Sequence, residues 1–486
     1  MASPNTNPTH APASAPAPPK FSAIINYEDP YVQPLILSAL ASALPPSSYT
    51  LITTPSQLPT PSVPLLQFLP YELLDFDHML NHPTISLGNA YIIRKALIRK
   101  HYLSTTIANW VTKHPESVLK RHVKPAVDFE LDYAEFLDEA LVEAFELREG
   151  FQRNEGKEPQ EREWWILKPS MSDRGQGIRL FSTEEELAAI FEEWEAEAPD
   201  SEDEDGDGVV GSGSEDVLQN DSTAASAMGK EKDYIITSHL RHFVAQPYIH
   251  PPLLLSPSPS SPAAPRKFHI RTYVLAVGAL RVYVYKPMLA LFAARAYTPP
   301  WECGNAPDDL RAHLTNTCLQ DTGEREGSVS LFWSLPDSTP SLDTTSTPLS
   351  SPGAPKTDGA ERAWKEIVWA QICAITAEIF EAAARDMMVH FQPLPNAFEL
   401  FGLDFLVQRD PTNESLDAYL LEVNAFPDFK QTGVELQDLV GRLFKEVVEV
   451  SVKPFFLGVG GDSKEKVEVA GTENLKCVLD IDLGRR

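Results

Sequence analysis

Thirty residues constrain this chain more than any others. Residues 398–427 read FELFGLDFLVQRDPTNESLDAYLLEVNAFP. Two runs of strand-forming residues flank a polar break, which is the pattern of an antiparallel hairpin. The first run carries Asp404; the second carries Glu422 and Asn424. Side chains at i and i+2 of a strand share one face, so Glu422 and Asn424 point the same way. If the register sets Asp404 opposite them, three oxygen donors converge. That set suits Mg²⁺, which takes a few protein carboxylates and leaves its other positions to water and phosphate. A lone acid in a strand ordinarily faces solvent. Here both acids sit among residues that favour burial, so the metal reading is preferred.

A second signal precedes the hairpin. Residues 164–178 read WWILKPSMSDRGQGI. A buried strand ends at Lys168, and a loop with Arg174, Gly175 and Gly177 follows. The glycines let backbone N–H groups approach a phosphate, and Lys168 and Arg174 supply charge. The motif is neither a Walker A loop nor a full GxGxxG, and a GxG alone is usually a plain turn. Gln246-Pro247-Tyr248-Ile249 ends another apolar run. It reads either as an ordinary strand ending at proline or as an edge that meets a nucleotide base. Lys267, His269 and Arg271 alternate on one strand face, where they repel unless something anionic lies opposite. Lys286, on the next strand of the hairpin, is expected to join them in a patch for phosphate or carboxylate. His313-Leu314-Thr315-Asn316 reads as a loop or helix cap, and His239-x-x-His242 as surface.

Charge is distributed unevenly. The chain of 486 residues has a formal net charge of −28, which argues against general nucleic-acid or anionic-membrane binding. Residues 184–221 contain sixteen Asp or Glu and no Lys or Arg, whereas residues 94–124 contain eight Lys or Arg and one acid. The basic block fits a negatively charged partner or a solvated helix face about equally. The four cysteines are far apart and form no CxxC pair, so neither a zinc site nor a disulfide framework is expected. No uninterrupted apolar run approaches the length of a membrane span. Residues 1–20 lack the apolar core of a secretory signal, and a cytoplasmic location is expected.

Periodicity predicts an α/β (α+β) protein. A disordered N-terminus (1–20) precedes a small α/β domain (21–125). Two catalytic subdomains (126–252 and 267–456) and a tail with a possible final strand (457–486) follow. Disordered insertions are expected at 196–232, 253–266 and 334–360. Helices are expected at 33–43, 90–111, 133–148, 183–195 and 363–385. The last carries Trp364, Ile367, Val368, Ile372, Ile375, Ile379 and Phe380 on one face.

Taken in order, ILKPSMSDRGQGI, QPYI, KFHIRTYVL with LRVYVYK, HLTN, and FELFGLDF with LLEVNAFP resemble the tubulin–tyrosine ligase family, whose catalytic core is of the ATP-grasp type. INYEDP and IIRKALIRKHYL resemble that family's N-terminal segment. The resemblance spans about residues 21–455, outside the insertions. It implies an ATP-dependent ligase joining an amino acid, tyrosine or glutamate, to a protein acceptor such as an acidic tubulin tail, through an acyl phosphate. It implies ATP and Mg²⁺ as cofactors and a free amino acid as co-substrate; no nucleic acid and no membrane partner is expected. By resemblance Lys168, Arg174, Gly175 and Gly177 hold the phosphates, Gln246, Tyr248 and Ile249 the adenine, and Lys267 faces the nucleotide. Arg271 binds a carboxylate, and Lys95 lies by the transferring phosphate. Thr315 and Asn316 line the amino-acid and nucleotide site, and Asp404, Glu422 and Asn424 hold magnesium. Two positions depart from the pattern: His269 replaces an acid, and Lys286 replaces an arginine, which is not an equivalent exchange. They motivate the alternative of a non-catalytic nucleotide-binding or tubulin-docking protein. A small-molecule ATP-grasp ligase is a third reading, disfavoured by the extended basic block.

Overall fold

The computed structural model describes residues 19–27, 29–60, 62–170, 172, 175–197, 235, 237–257, 264–315, 328–337, 363–410, 415–429, 436–458 and 471–484. Arg174, Asn316, most of the expected N-terminal tail, and nearly all of the insertions expected at 196–232 and 334–360 lie outside these residues. The insertion expected at 253–266 is in part a strand, because Leu254–Leu255 pairs with Arg266 and Lys267.

The first unit is a parallel sheet of β1 (Phe21–Ile25), β2 (Tyr49–Ile52), β3 (Leu65–Phe68) and β4 (Ser86–Gly88), in the order β2-β1-β3-β4. Helix α1 (Val32–Ala43) follows β1 and stops before Pro45 and Pro46, as expected. The helix expected over 90–111 is broken. Lys95–Ile98 and α2 (Lys100–Lys113) are separate, and Arg99 between them is extended at φ −98° and ψ 125°. Residues before the first turn are engaged elsewhere, since Gln392 N–H donates to the Ile93 carbonyl. The break points the start of α2 at the loop after Lys168, where Lys100 Nζ donates to the Ser172 carbonyl at 3.1 Å.

The second sheet joins β5 (Val127–Glu130), β6 (Trp165–Pro169), β7 (Arg179–Phe181) and β8 (His242–Pro247), in the order β5-β8-β6-β7. The helix expected over 133–148 is two short helices, Leu137–Ala140 and Phe145–Asn154, after a 3-10 turn. Leu137, Leu141, Leu147 and Phe151 still enter the core, so the apolar spacing survives the bend and cannot reveal it. Helix α3 (Glu184–Glu197) opens on the expected cap: Thr183 Oγ1 accepts the Glu186 N–H at 3.2 Å. The Glu186 carboxylate reaches one residue further back, to the Ser182 N–H at 2.6 Å.

The third sheet is built on the long strand β10 (Arg266–Val277), with β9 (Leu254–Leu255) at its start. Strands β11 (Arg281–Tyr285) and β12 (Leu289–Phe292) share one edge of β10, and β13 (Val329–Leu331) extends from β12. Strands β14 (Phe398–Arg409) and β15 (Leu416–Ala425) line the other edge, and the expected final strand, β16 (Leu475–Asp480), pairs with β11. Helix α4 (Ala363–Asp386) packs on one face of this sheet. The first sheet, α1 and α5 (Gln437–Val447) pack on the other. Trp364, Val368, Ile372, Ile375, Ile379 and Phe380 are buried; Ile367, expected with them, is 49 % exposed. The stretch Trp364–Asp386 is long and apolar enough to cross a membrane by length and composition, although charged residues interrupt it. Its apolar side fills the core against the sheet.

Candidate active site

The hairpin forms as its pattern predicts. Asp404 pairs with Glu422 and Gly402 with Asn424, so the donors share a face. Asn424 Nδ2 lies 3.4 Å from Asp404 Oδ2 and 3.2 Å from Glu422 Oε1. A bulge follows: the next pair is Phe405 with Leu420, which leaves Leu421 unpaired. The extra residue lets both Leu421 and Glu422 line the cleft while Leu420 and Val423 enter the core.

Across the neighbouring strand pair, Asp404 faces Arg271. Arg271 Nε and a terminal nitrogen hold the two carboxylate oxygens at 2.5 and 2.9 Å. His269 Nε2 lies 3.4 Å from the same carboxylate. Lys267, His269 and Arg271 therefore share a face, and Asp404 is the anion that offsets their repulsion. Burial alone raises the Asp404 pKa, but Arg271 and then His269 outweigh it and hold it well below the usual carboxylate range. Gly402 makes room for the clamp, since a Cβ there would lie 3.2 Å from Arg271 Cδ.

Beside the acids runs a narrow slot between the second and third sheets. Ile166, Ile178, Ile249, Leu406 and Leu421 give it apolar walls, with Gln246 and Tyr248 also lining it. Lys168 Nζ donates to Gln246 Oε1 at 3.0 Å, and Lys267 Nζ to the Tyr248 hydroxyl at 3.2 Å. Burial, foremost, lowers the Lys168 pKa to about 8. Burial and then the Lys168 charge lower that of Lys267 to about 7. Two buried, mutually repelling ammonium groups make a site that gains by taking up an anion. A bound polyphosphate raises both pKa values, so binding takes up protons near neutrality. Nucleotide affinity should fall by roughly one to two orders of magnitude between pH 7 and 8.5 as the free lysines lose their protons. Calorimetry in two buffers of different ionisation enthalpy at pH 7.5 checks this by reading net proton uptake.

The loop after Lys168 turns at Gly175 (φ 78°) and Gly177 (φ 70°), both in the left-handed region. A Cβ at Gly177 would lie 2.6 Å from Pro169 Cγ, so this turn folds back onto the end of β6.

A second cavity of about 350 Å³ adjoins the slot, and Glu422 lines both. The sequence reading missed the residues on its floor. Arg94 Nε lies 3.1 Å from Glu399 Oε1, and its guanidinium sits 3.7 Å over the Tyr71 ring. Burial raises the Glu399 pKa to about 7, with Arg94 opposing. The available signal was Glu399 itself, an acid inside FELFG that needs a buried partner. Arg99, Lys100, Ser170 and Ser172 also line this cavity.

Two expected site residues lie elsewhere. Lys95 is half-buried beside the cavity without lining it. Lys286 follows the parity of Val282 and Val284, which face α4, and is therefore on the opposite side of the sheet from Arg271. It is exposed and sits 5.2 Å over the Trp333 ring. Thr315 Oγ1 bonds His269 Nδ1 at 2.5 Å, and His313 is buried beside Tyr248.

Comparison with known proteins settles the family. The tubulin–tyrosine ligase family pattern matches residues 99–457. The chain belongs to that family. It is 41 % identical over 432 residues to a "Probable tubulin–tyrosine ligase" of Schizosaccharomyces pombe, covering 89 % of this chain and 91 % of that one. It is 41 % identical over 414 residues to the "Probable tubulin–tyrosine ligase PBY1" of Saccharomyces cerevisiae, covering 84 % of this chain but 48 % of that protein. A crystal structure of the C-terminal domain of K. lactis Pby1, described as an ATP-grasp enzyme interacting with the mRNA decapping enzyme Dcp2, superposes with a TM-score of 0.61 at 32 % identity. That match covers 95 % of this chain and 99 % of the domain. The fold is therefore ATP-grasp, and family and fold together support an ATP-dependent ligase.

The acid cluster fits a divalent cation. Asp404 and Glu422 bring two carboxylates, and the Asn424 side chain supplies an amide oxygen once turned. Arg271 leaves the remaining lone pairs of Asp404 free for a metal. Such a small oxygen set suits Mg²⁺, which binds few protein carboxylates and leaves its other positions to water and phosphate.

Proposed function

We propose that the protein joins an amino acid, tyrosine or glutamate, to a carboxylate of a protein acceptor, with acidic tubulin tails as the acceptor class and the cytoplasm as the location. The observation carrying this reading is that Glu422 lies on the wall between a narrow apolar slot with buried lysines and a wider polar cavity. A nucleotide in the slot and a carboxylate in the cavity meet at that wall. The carboxylate oxygen attacks the γ-phosphorus and ADP leaves, giving an acyl phosphate. An amine then attacks the acyl carbon, phosphate leaves with its electron pair, and the amine loses a proton. Lys168 and Lys267 hold the phosphates and offset charge as it spreads over them. Asp404, Glu422 and Asn424 would hold magnesium, which supplies further charge neutralisation. The Gly175–Gly177 turn covers the phosphates and excludes water from the acyl phosphate. Arg99 and Lys100 attract the acidic acceptor electrostatically.

The names of the relatives support tubulin, whereas the K. lactis domain is described by its contact with Dcp2, so a decapping factor is the second acceptor class. His269 in place of an acid and Lys286 in place of an arginine motivate the rival reading, a protein that binds nucleotide without turnover. Mass spectrometry of tubulin and of total protein, incubated with ATP, amino acids and this chain, decides among them. The expected result is a mass gain of one tyrosine or glutamate residue on an acidic tail. ATP binding with no mass gain on any protein would overturn the ligase assignment.

A further inference from the structure

One buried imidazole in the slot has a nitrogen with no hydrogen-bond partner among the described residues. His313 is 2 % exposed and lines the slot together with Tyr248, Lys267 and Thr315. Its Nδ1 meets the Tyr248 hydroxyl at 2.8 Å. Its Nε2 has no hydrogen-bond partner among the described residues. A buried polar atom left unpaired costs free energy that a bound ligand can recover. The ring is not free to turn away. Tyr248 meets it edge-on at 5.7 Å and Tyr297 at 5.7 Å from another side. His269 also has an unpaired Nε2, but the Asp404 carboxylate 3.4 Å away accounts for its direction. Among the described residues His313 Nε2 has no such neighbour.

We propose that His313 Nε2 hydrogen-bonds the adenosine part of ATP, at a base nitrogen or a ribose oxygen, and thereby sets nucleotide affinity and selectivity. The inference rests on the slot being the ATP site. Burial, then Lys267 and His250, lower the His313 pKa to about 3, so the ring is neutral at physiological pH. A neutral imidazole makes one uncharged hydrogen bond at Nε2. It therefore complements the uncharged end of the nucleotide, as Lys168 and Lys267 complement the phosphates. The same Tyr248 hydroxyl that takes His313 Nδ1 also accepts from Lys267 Nζ at 3.2 Å. Tyr248 thus spaces the group that reads the nucleoside from the group that holds the phosphates.

Calorimetric titration of the full chain tests this without knowing the acceptor. The ligands are ATP, 2′-deoxy-ATP, 3′-deoxy-ATP, 3-deaza-ATP and 7-deaza-ATP, each added to wild type and to His313→Phe. The variant is expected to bind ATP roughly five- to tenfold more weakly, the effect of one lost hydrogen bond. One analogue should lose a similar factor on wild type and lose nothing further on the variant. Equal loss for every analogue on both proteins, or ATP affinity unchanged in the variant, would overturn the proposal. If His313→Phe melts early, the wild-type series decides alone: no analogue weaker than ATP by more than about twofold also overturns it. Wild type that binds no ATP would fail a different claim, the ligase reading, and this inference would fall with it.

Discussion

Glu422→Gln is expected to lower ATP turnover by about a thousandfold while leaving the melting temperature nearly unchanged. The size follows from removing one carboxylate of the proposed magnesium set, and with it part of the charge neutralisation at the reacting phosphates; losing one such preorganised electrostatic group typically costs about 10²–10³ in rate. The selectivity of the effect follows from the surroundings. Glu422 is half-buried, and the Asn424 amide, 3.2 Å away, is a contact that a glutamine oxygen can keep. Among the described residues no arginine clamps it as Arg271 clamps Asp404, and the buried cation it supports, Lys168, can shed its proton when that charge is removed, so the cost to stability stays small. Glutamine also preserves the volume beside the Leu421 bulge. Nucleotide binding should weaken far less than turnover falls, because Lys168, Lys267 and the apolar slot are untouched. Turnover with an acceptor, calorimetric ATP affinity and a thermal melt, measured on one preparation, check the three parts. Turnover equal to wild type would remove Glu422 from the chemistry. It would also favour the reading in which the fold binds nucleotide without using it.

The convergence of Asp404, Glu422 and Asn424 was legible in the sequence because strand parity is rigid. Once two apolar runs pair antiparallel, residues two apart must share a face. The bulge at Leu421 was not legible, since an extra residue breaks that parity without a sequence mark. Lys286 shows the same limit. Proximity on a neighbouring strand says nothing of the face until the register across residues 278–280 is known, and that register turns Lys286 toward Trp333. Arg94 and Glu399 lie 305 positions apart, so nothing local joins them. The reading settled on Lys95, the next residue, although Arg94 is the one that lines the cavity. The helix over 90–111 broke because backbone groups before it bond to residues near 390, a demand that arises only in the folded chain. Helices α1 and α4, the β14–β15 hairpin and the final strand β16, by contrast, follow from local periodicity and appear nearly where it placed them.

Asp404→Ala is expected to cost about 3–5 kcal/mol of stability in addition to abolishing turnover, the usual penalty for removing one partner of a buried ion pair. Arg271 is 8 % exposed, and its guanidinium has Asp404 as its ion-pair partner at 2.5 and 2.9 Å. Without that carboxylate a full positive charge remains in the core beside His269 and the buried Lys267. An arginine cannot shed its proton to escape the cost. The double variant Asp404→Leu with Arg271→Met should recover most of the loss, because an apolar pair of similar volume needs no solvation; it should still be inactive. Stability and activity thus separate: the pair as a whole is replaceable for folding, and each half alone is not. The pH dependence has a definite sign. Asp404 titrates below its ordinary value of 3.8 in the folded chain, so the stability it contributes is nearly complete above about pH 5 and is lost progressively as acid carries the pH from the ordinary value down through the lower, folded one. Denaturant titrations of wild type, single and double variants at pH 7 measure the coupling directly. A single variant as stable as wild type would mean that water reaches Arg271, and that the clamp on Asp404 is not the buried contact on which the geometry of the proposed metal site depends.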